Sequence, residues 1–104
     1  MSLPLKWEFP GGKVEQNENY EQTAIREIKE ELNIAIRIKQ QLDSVVHHYP
    51  TFSITLIPFI CDYLAGEVVL LEHAAYYWFK PENLLDLEWA AADIPVVHQY
   101  LKTL

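Results

Sequence analysis

Between Gly11 and Leu32 the chain sets a paired glycine, a short acidic loop and a segment with three glutamates in one helical turn, and this restricts its fold most. It reads Trp7-Glu8-Phe9-Pro10-Gly11-Gly12-Lys13-Val14-Glu15, then Glu18, then Arg26-Glu27-Ile28-Lys29-Glu30-Glu31-Leu32-Asn33-Ile34. Residues 5–9 alternate apolar and polar, as a short strand does, and Pro10-Gly11-Gly12 breaks that strand. The two glycines free backbone groups for close approach to a ligand. Asn19 followed by Gln22 has the form of a capping box, which predicts a helix over residues 20–32. Asn33 stands where a helix end takes a left-handed residue, and Asn is the best substitute for Gly there.

At about 100° per residue, with Glu27 at zero, Glu30 and Glu31 fall at about 300° and 40°. Ala24, Ile25, Ile28 and Leu32 fall between about 60° and 160°, so an apolar stripe runs beside a carboxylate stripe. Arg26, at about 260°, borders the glutamates from the other side. Like charges three and four residues apart repel. The stripe is therefore either a solvated acidic face partnered by Lys29 and Arg26, or a cation site. Gly11, Gly12, Glu18 and Arg26 favour the cation, and glutamate oxygens suit Mg²⁺ or Mn²⁺, which bind phosphate oxygens in turn.

A chain of 104 residues has room for a single domain spanning 1–104. Half its residues are apolar, including three Trp, six Tyr and four Phe, enough for a core. The net charge of −7, with Lys and Arg scattered, argues against a nucleic-acid polymer as partner. No apolar run reaches membrane-spanning length, and the start carries no signal-peptide pattern. The single cysteine, Cys61, excludes an internal disulfide and reads as a packed thiol. A cytoplasmic protein is the expectation.

Downstream, residues 34–38 alternate like a strand that continues into 44–49. Residues 52–64 read as one strand well inside a sheet, with a bulge or an edge position at Pro58. His47 and His48 point to opposite faces of a strand, which argues against joint metal binding. Further strands are expected at 68–71 and 75–79 and a short helical turn at 80–85. Pro95 opens a last helix to residue 104, with Val97, Leu101 and Leu104 at helical spacing.

Gly12, five residues, Glu18, seven residues and then Arg26-Glu27-Ile28-Lys29-Glu30-Glu31-Leu32-Asn33-Ile34 is similar to the Nudix box, G-x5-E-x7-R-E-U-x-E-E-x-G-U with U aliphatic. Every defined position matches except the second Gly, where Asn33 stands. The segment from Trp7 to Glu15 resembles the MutT-type branch of that family, which cleaves nucleoside triphosphates. The resemblance implies an α+β fold, an α/β/α sandwich around a mixed central sheet. It implies a nucleotide substrate, and Mg²⁺, or else Mn²⁺, held by Glu27, Glu30 and Glu31 with Glu72 and the Gly11 carbonyl. Glu72 is equally readable as a loop glutamate beside His73. Arg26 would orient a glutamate and Glu18 would support the site. Gly12, Lys13, Trp7, Phe52 and Asp93 become candidates for holding the nucleotide. For Asp93 the alternative is an anion stabilised at a helix N-terminus, and for Trp7 and Phe52 it is a place in the core. The products would be a nucleoside monophosphate and pyrophosphate.

Only six residues precede Trp7, whereas the family places strands there, so the domain is expected to be truncated at its N-terminus. Three explanations compete: a truncated chain, a degenerate member, or a partner that supplies the edge. An uncovered sheet edge predicts association into a homodimer. A non-catalytic binding module of the same fold is the competing functional reading.

Overall fold

The computed structural model describes residues 7–69 and 78–104. In chain order these form helix α1 (Tyr20–Leu32) and strands β1 (Ala35–Gln41), β2 (Val45–His48), β3 (Ser53–Leu56) and β4 (Phe59–Ala65). Two 3-10 turns (Pro81–Asp86 and Ala91–Asp93) and helix α2 (Ile94–Lys102) follow. The chain divides into two compact units, one of Pro10–Gln41 with Phe59–Tyr77, the other of Met1–Phe9, Leu42–Pro58 and Trp78–Leu104.

In the first unit α1 has the predicted bounds and both predicted caps. The Asn19 side chain accepts from the Gln22 N–H at 2.8 Å, and the Gln22 side chain accepts from the Asn19 N–H at 2.9 Å. These bonds satisfy two donors that a helix start otherwise leaves open. Asn33 ends the helix in the left-handed region (φ 60°, ψ 33°) and its N–H donates to the Lys29 carbonyl. The Val69 N–H donates to the Leu32 carbonyl at 2.9 Å, satisfying another group at the helix end. Strands β1 and β4 pair antiparallel, with Ile36 opposite Tyr63 and Ile38 opposite Cys61, and register shifts interrupt the ladder on either side of Ile36–Ile38. Gly66 turns the chain out of β4 at φ 106°, and a Cβ there would lie 2.6 Å from the Asn33 carbonyl oxygen. Only glycine satisfies both conditions.

The apolar stripe expected to bury α1 is not its most buried line. Ile25 is 41% exposed, while Thr23 and Glu31 are 6% and 5% exposed. The polar loop before the helix lies along this face and supplies it with hydrogen bonds, so burial there follows polar satisfaction as well as apolar area.

In the second unit β2 and β3 form an antiparallel hairpin, with Val45 opposite Leu56 and His48 opposite Ser53. The Tyr49 N–H closes its turn on the Phe52 carbonyl. Two strand expectations are corrected here. Residues 52–64 are two strands rather than one, because Pro58 has no N–H to give a ladder. Its carbonyl accepts from the Leu42 N–H instead. Residues 44–49 likewise belong to a separate strand, β2, with β3 rather than β4 as partner. Trp7 makes a parallel bridge to Trp89, the only pairing of the predicted strand at 5–9 among the described residues. Its N–H donates to the Glu88 carbonyl, and the Ala90 N–H donates to the Trp7 carbonyl. The strands expected around 68–71 and 75–79 fall mostly outside the described residues, and 67–69 and 78–80 are not strand.

The predicted turn at 80–85 is the 3-10 turn Pro81–Asp86, and α2 begins one residue ahead of Pro95. Leu42, Leu84, Ala90, Ala92, Val96 and Val97 are buried in this unit. Leu104 lies beyond the end of α2 and is 71% exposed, so it does not join the face begun by Val97. The Gln99 side chain bonds both the N–H and the carbonyl of Asp43, tying the loop after Leu42 to α2. No helix among the described residues is long and apolar enough to cross a membrane.

Candidate functional site

The loop from Gly11 to Glu18 runs back along α1, from the end of the helix toward its start. The Gly11 N–H donates to Glu31 Oε2 at 3.2 Å. A Cβ on Gly12 would come within 2.6 Å of both Glu27 carboxylate oxygens. The Lys13 carbonyl accepts from Arg26 Nη2 at 3.0 Å. A tight turn follows, in which the Glu18 N–H donates to the Glu15 carbonyl and Asn17 takes a left-handed φ of 67°. Asn tolerates that conformation better than other non-glycine residues.

Arg26 holds this arrangement together. Its Nε meets Glu18 Oε2 at 2.7 Å and its Nη2 meets Glu18 Oε1 at 3.0 Å, a two-pronged grip that matches guanidinium to carboxylate. Nη1 reaches Glu27 at 2.7 Å and Glu30 at 3.1 Å, with Glu15 at 3.5 Å. Donation from Arg26, then from Thr23 and from the Glu15 backbone, holds the Glu18 carboxyl down at about 2. The same contacts, Glu18 first and Glu27 next, raise the Arg26 guanidinium further above its ordinary value. A fixed cation thus stands among the glutamates, which offsets the repulsion expected of three carboxylates in one turn.

The donor set of the helix fits a divalent cation. Glu27, Glu30 and Glu31 offer hard oxygen donors from one turn of a rigid helix, the chemistry that suits Mg²⁺ or Mn²⁺. A methyl built on Gly11 would meet nothing within 4 Å, so the backbone beside Glu31 is open to close approach. Among the described residues no three His, Cys, Asp or Glu side chains are gathered tightly enough to enclose an ion by themselves. Glu72, the further candidate ligand, lies outside the described residues.

The other candidates belong to the second unit. Asp93 occupies the N-cap position of α2 yet makes no side-chain cap bond, and it is 8% exposed. Burial, with the neighbouring Glu8 carboxylate, raises its carboxyl to about 6, although the Phe9 N–H donates to it. Trp7 is half-buried and meets Phe79 edge to face, with ring centres 5.5 Å apart. Phe52 stacks on Tyr49 at 4.9 Å in the β2–β3 turn and stays 40% exposed. The Lys13 side chain is exposed. His47 and His48 lie on opposite faces of β2 as expected, and Cys61 is a free, half-buried thiol on β4.

The structure draws in two residues that carry no role in the sequence expectations: Thr23, whose hydroxyl meets Glu18, and Glu8 beside Asp93. Neither has a local signal. Trp89, which stacks on Phe9 at 4.6 Å, was passed over too, although an aromatic residue near Asp93 could have been noticed.

Comparison with known proteins shows the family. The family model described as NUDIX domain matches residues 2–100. The CTP pyrophosphohydrolase of Escherichia coli strain K12 is 34% identical over 91% of this chain and 70% of its own length. An 8-oxo-dGTP diphosphatase of the same organism is 30% identical over 88% of this chain and 71% of its own length. The solution structure of the E. coli ORF135 protein superposes with a TM-score of 0.81 at 34% identity, over 92% of this chain and 69% of that one. A MutT protein of the Nudix hydrolase family from methicillin-resistant Staphylococcus aureus 252 gives 0.76 at 38% identity, over 99% of this chain and 79% of that one. The chain belongs to the NUDIX domain family, with an α+β Nudix fold, and is a Nudix hydrolase whose relatives are nucleotide pyrophosphohydrolases.

Proposed function

We propose that the chain hydrolyses a nucleoside triphosphate to a nucleoside monophosphate and pyrophosphate, or a related nucleoside diphosphate derivative to a nucleoside monophosphate and the phosphorylated remainder. The observation that carries this reading is the loop folded onto the helix: Gly11 against Glu31, Gly12 against Glu27, and Arg26 gripping Glu18 while it reaches Glu27 and Glu30. The family is typically dependent on a divalent metal. In this chain Glu27, Glu30 and Glu31, with the Gly11 carbonyl and Glu72, would hold Mg²⁺ or Mn²⁺. When bound, such an ion neutralises phosphate charge and acidifies a water.

The chain's own groups do the rest. Arg26 orients Glu27 and touches no substrate, and Glu18 holds Arg26 in turn. Gly12 leaves the space in which the Glu27 carboxylate sits. The exposed Lys13 ammonium is available to the phosphates. A glutamate of the cluster takes the proton of the attacking water as its oxygen joins phosphorus and the bond between the α and β phosphates breaks. Asp93, with Trp7 and Phe52, is assigned to the base. With its carboxyl near 6, Asp93 is mainly an acceptor of base N–H groups at neutral pH.

The test is pyrophosphate release from a nucleotide panel with Mg²⁺, beginning with CTP and 8-oxo-dGTP, the nucleotides named for the E. coli relatives. Glu30→Gln and Glu31→Gln are expected to lower kcat on the order of a hundredfold or more. A correctly folded wild type that releases pyrophosphate from no nucleotide would favour a non-catalytic binding module.

A further inference from the structure

Thr23 lies on the inner line of α1, one turn before Glu27, and is 6% exposed. Its hydroxyl is 2.6 Å from Glu18 Oε1 and 3.0 Å from the Asn19 carbonyl oxygen. A hydroxyl has one proton to give. The ionised acceptor at the shorter distance takes it. The Asn19 carbonyl has another donor in any case, since the Thr23 N–H reaches it at 3.0 Å as the first bond of the helix.

Glu18 can grip Arg26 with both oxygens only at one rotation of its carboxylate. That terminal torsion is intrinsically broad. The other donor to Oε1 from outside the Arg26 fork is the Glu15 N–H, at 3.1 Å and from an exposed loop. Thr23 is a stiffer donor, because a β-branched side chain on a helix has few rotamers. Once the fork is seated on Glu18, Nη1 is directed to Glu27 and Glu30.

We propose that Thr23 is a positioning residue for the hydrolysis: its hydroxyl locks the rotation of the Glu18 carboxylate, Glu18 seats Arg26, and Arg26 places the Glu27 carboxylate. The proposal rests on the role given to Glu27 above. It assigns Thr23 no contact with substrate, so its removal should slow turnover and leave substrate affinity alone.

The experiment compares Thr23→Val, which keeps the shape and loses the hydroxyl, and Thr23→Ala, which favours the helix, with Thr23→Ser, which keeps the hydroxyl. All are made in the full chain. Steady-state kinetics should show kcat reduced about tenfold in the Val and Ala variants, or about 1.4 kcal/mol. KM should stay within about twofold, and Ser should restore kcat to within about twofold of wild type. In the same proteins without substrate, hydrogen exchange of the Arg26 Nε–H, read by nitrogen-15 NMR, should quicken in Val and Ala and not in Ser. Unchanged kcat in Val and Ala, a loss in Ser as large as in Val, a loss carried by KM, or unmoved exchange would each overturn the proposal. If wild type turns over no nucleotide, the proposed activity fails, and the Arg26 exchange measurement still decides what Thr23 does.

Discussion

At the scale of single residues, the two adjacent glycines do different things. Both were legible as places of close approach, because a bare backbone is what such approach requires. What approaches Gly12 is the chain's own Glu27, held 2.7 Å from Arg26, so a Cβ there would push the carboxylate off its place beside that guanidinium. Gly12 is exposed and its φ is not in the left-handed region, so an alanine there is tolerated by the backbone and not by the carboxylate. Gly12→Ala is thus expected to lower kcat on the order of a hundredfold, since displacements near 1 Å cost about that much. Its melting temperature should move by no more than a few degrees. Kinetics and thermal melting on one preparation check this, and near-normal turnover would show that Glu27 needs no fixed place. Asp93 carries a similar lesson. Its position before a helix suggested a dipole-stabilised anion, yet its side chain makes no cap bond and sits with Glu8 and the Phe9 N–H. Nothing local in the sequence connects residue 93 with residue 8.

Secondary elements show where local rules suffice. The capping box of Asn19 and Gln22 and the left-handed Asn33 placed both ends of α1, because each cap is satisfied within a few residues. Asn19→Ala should destabilise the chain by about 1 kcal/mol. Gly66→Ala should cost more, about 1–3 kcal/mol, because it combines a strained φ with a Cβ pressed on the Asn33 carbonyl. Urea unfolding of the two variants orders these costs, and the reverse order would mean that the turn after β4 shifts freely. The strands were less legible. A run of apolar and β-branched residues from 52 to 64 carries the same pattern whether the chain continues straight or changes partner at Pro58. Pairing with β2 on one side of that proline and β1 on the other separated it into β3 and β4.

For the whole molecule, two carboxyls pull stability in opposite directions with pH. Glu18 is lowered from 4.5 to about 2, so the folded chain releases this proton more readily than the unfolded one. Its contribution is full above about 4.5 and is lost as pH falls toward about 2. Asp93 is raised from 3.8 to about 6, so the folded chain holds this proton more tightly. Stability from this group is greatest below about 3.8 and declines as pH rises to about 6. Thermal melts from pH 7 to pH 2 should therefore show Asp93→Asn flattening the change between about 6 and 4, and Glu18→Gln flattening the loss between about 4.5 and 2. Variants that retain the wild-type slopes in those windows would remove these two groups as the cause.

The sequence by itself determined the helix with its caps, the breaks at Pro10-Gly11-Gly12 and the carboxylate turn of Glu27, Glu30 and Glu31 with Arg26 beside it, since each depends on residues a few positions apart. Only the tertiary structure decided which line of α1 turns inward, that the loop folds back so Gly11 meets Glu31 twenty positions away, that Thr23 meets Glu18, and, in the other unit, that Glu8 lies beside Asp93. Periodicity favoured the apolar stripe as the buried face. Hydrogen bonds from the loop made burial of the polar line affordable, and such long-range satisfaction leaves no mark in a local pattern.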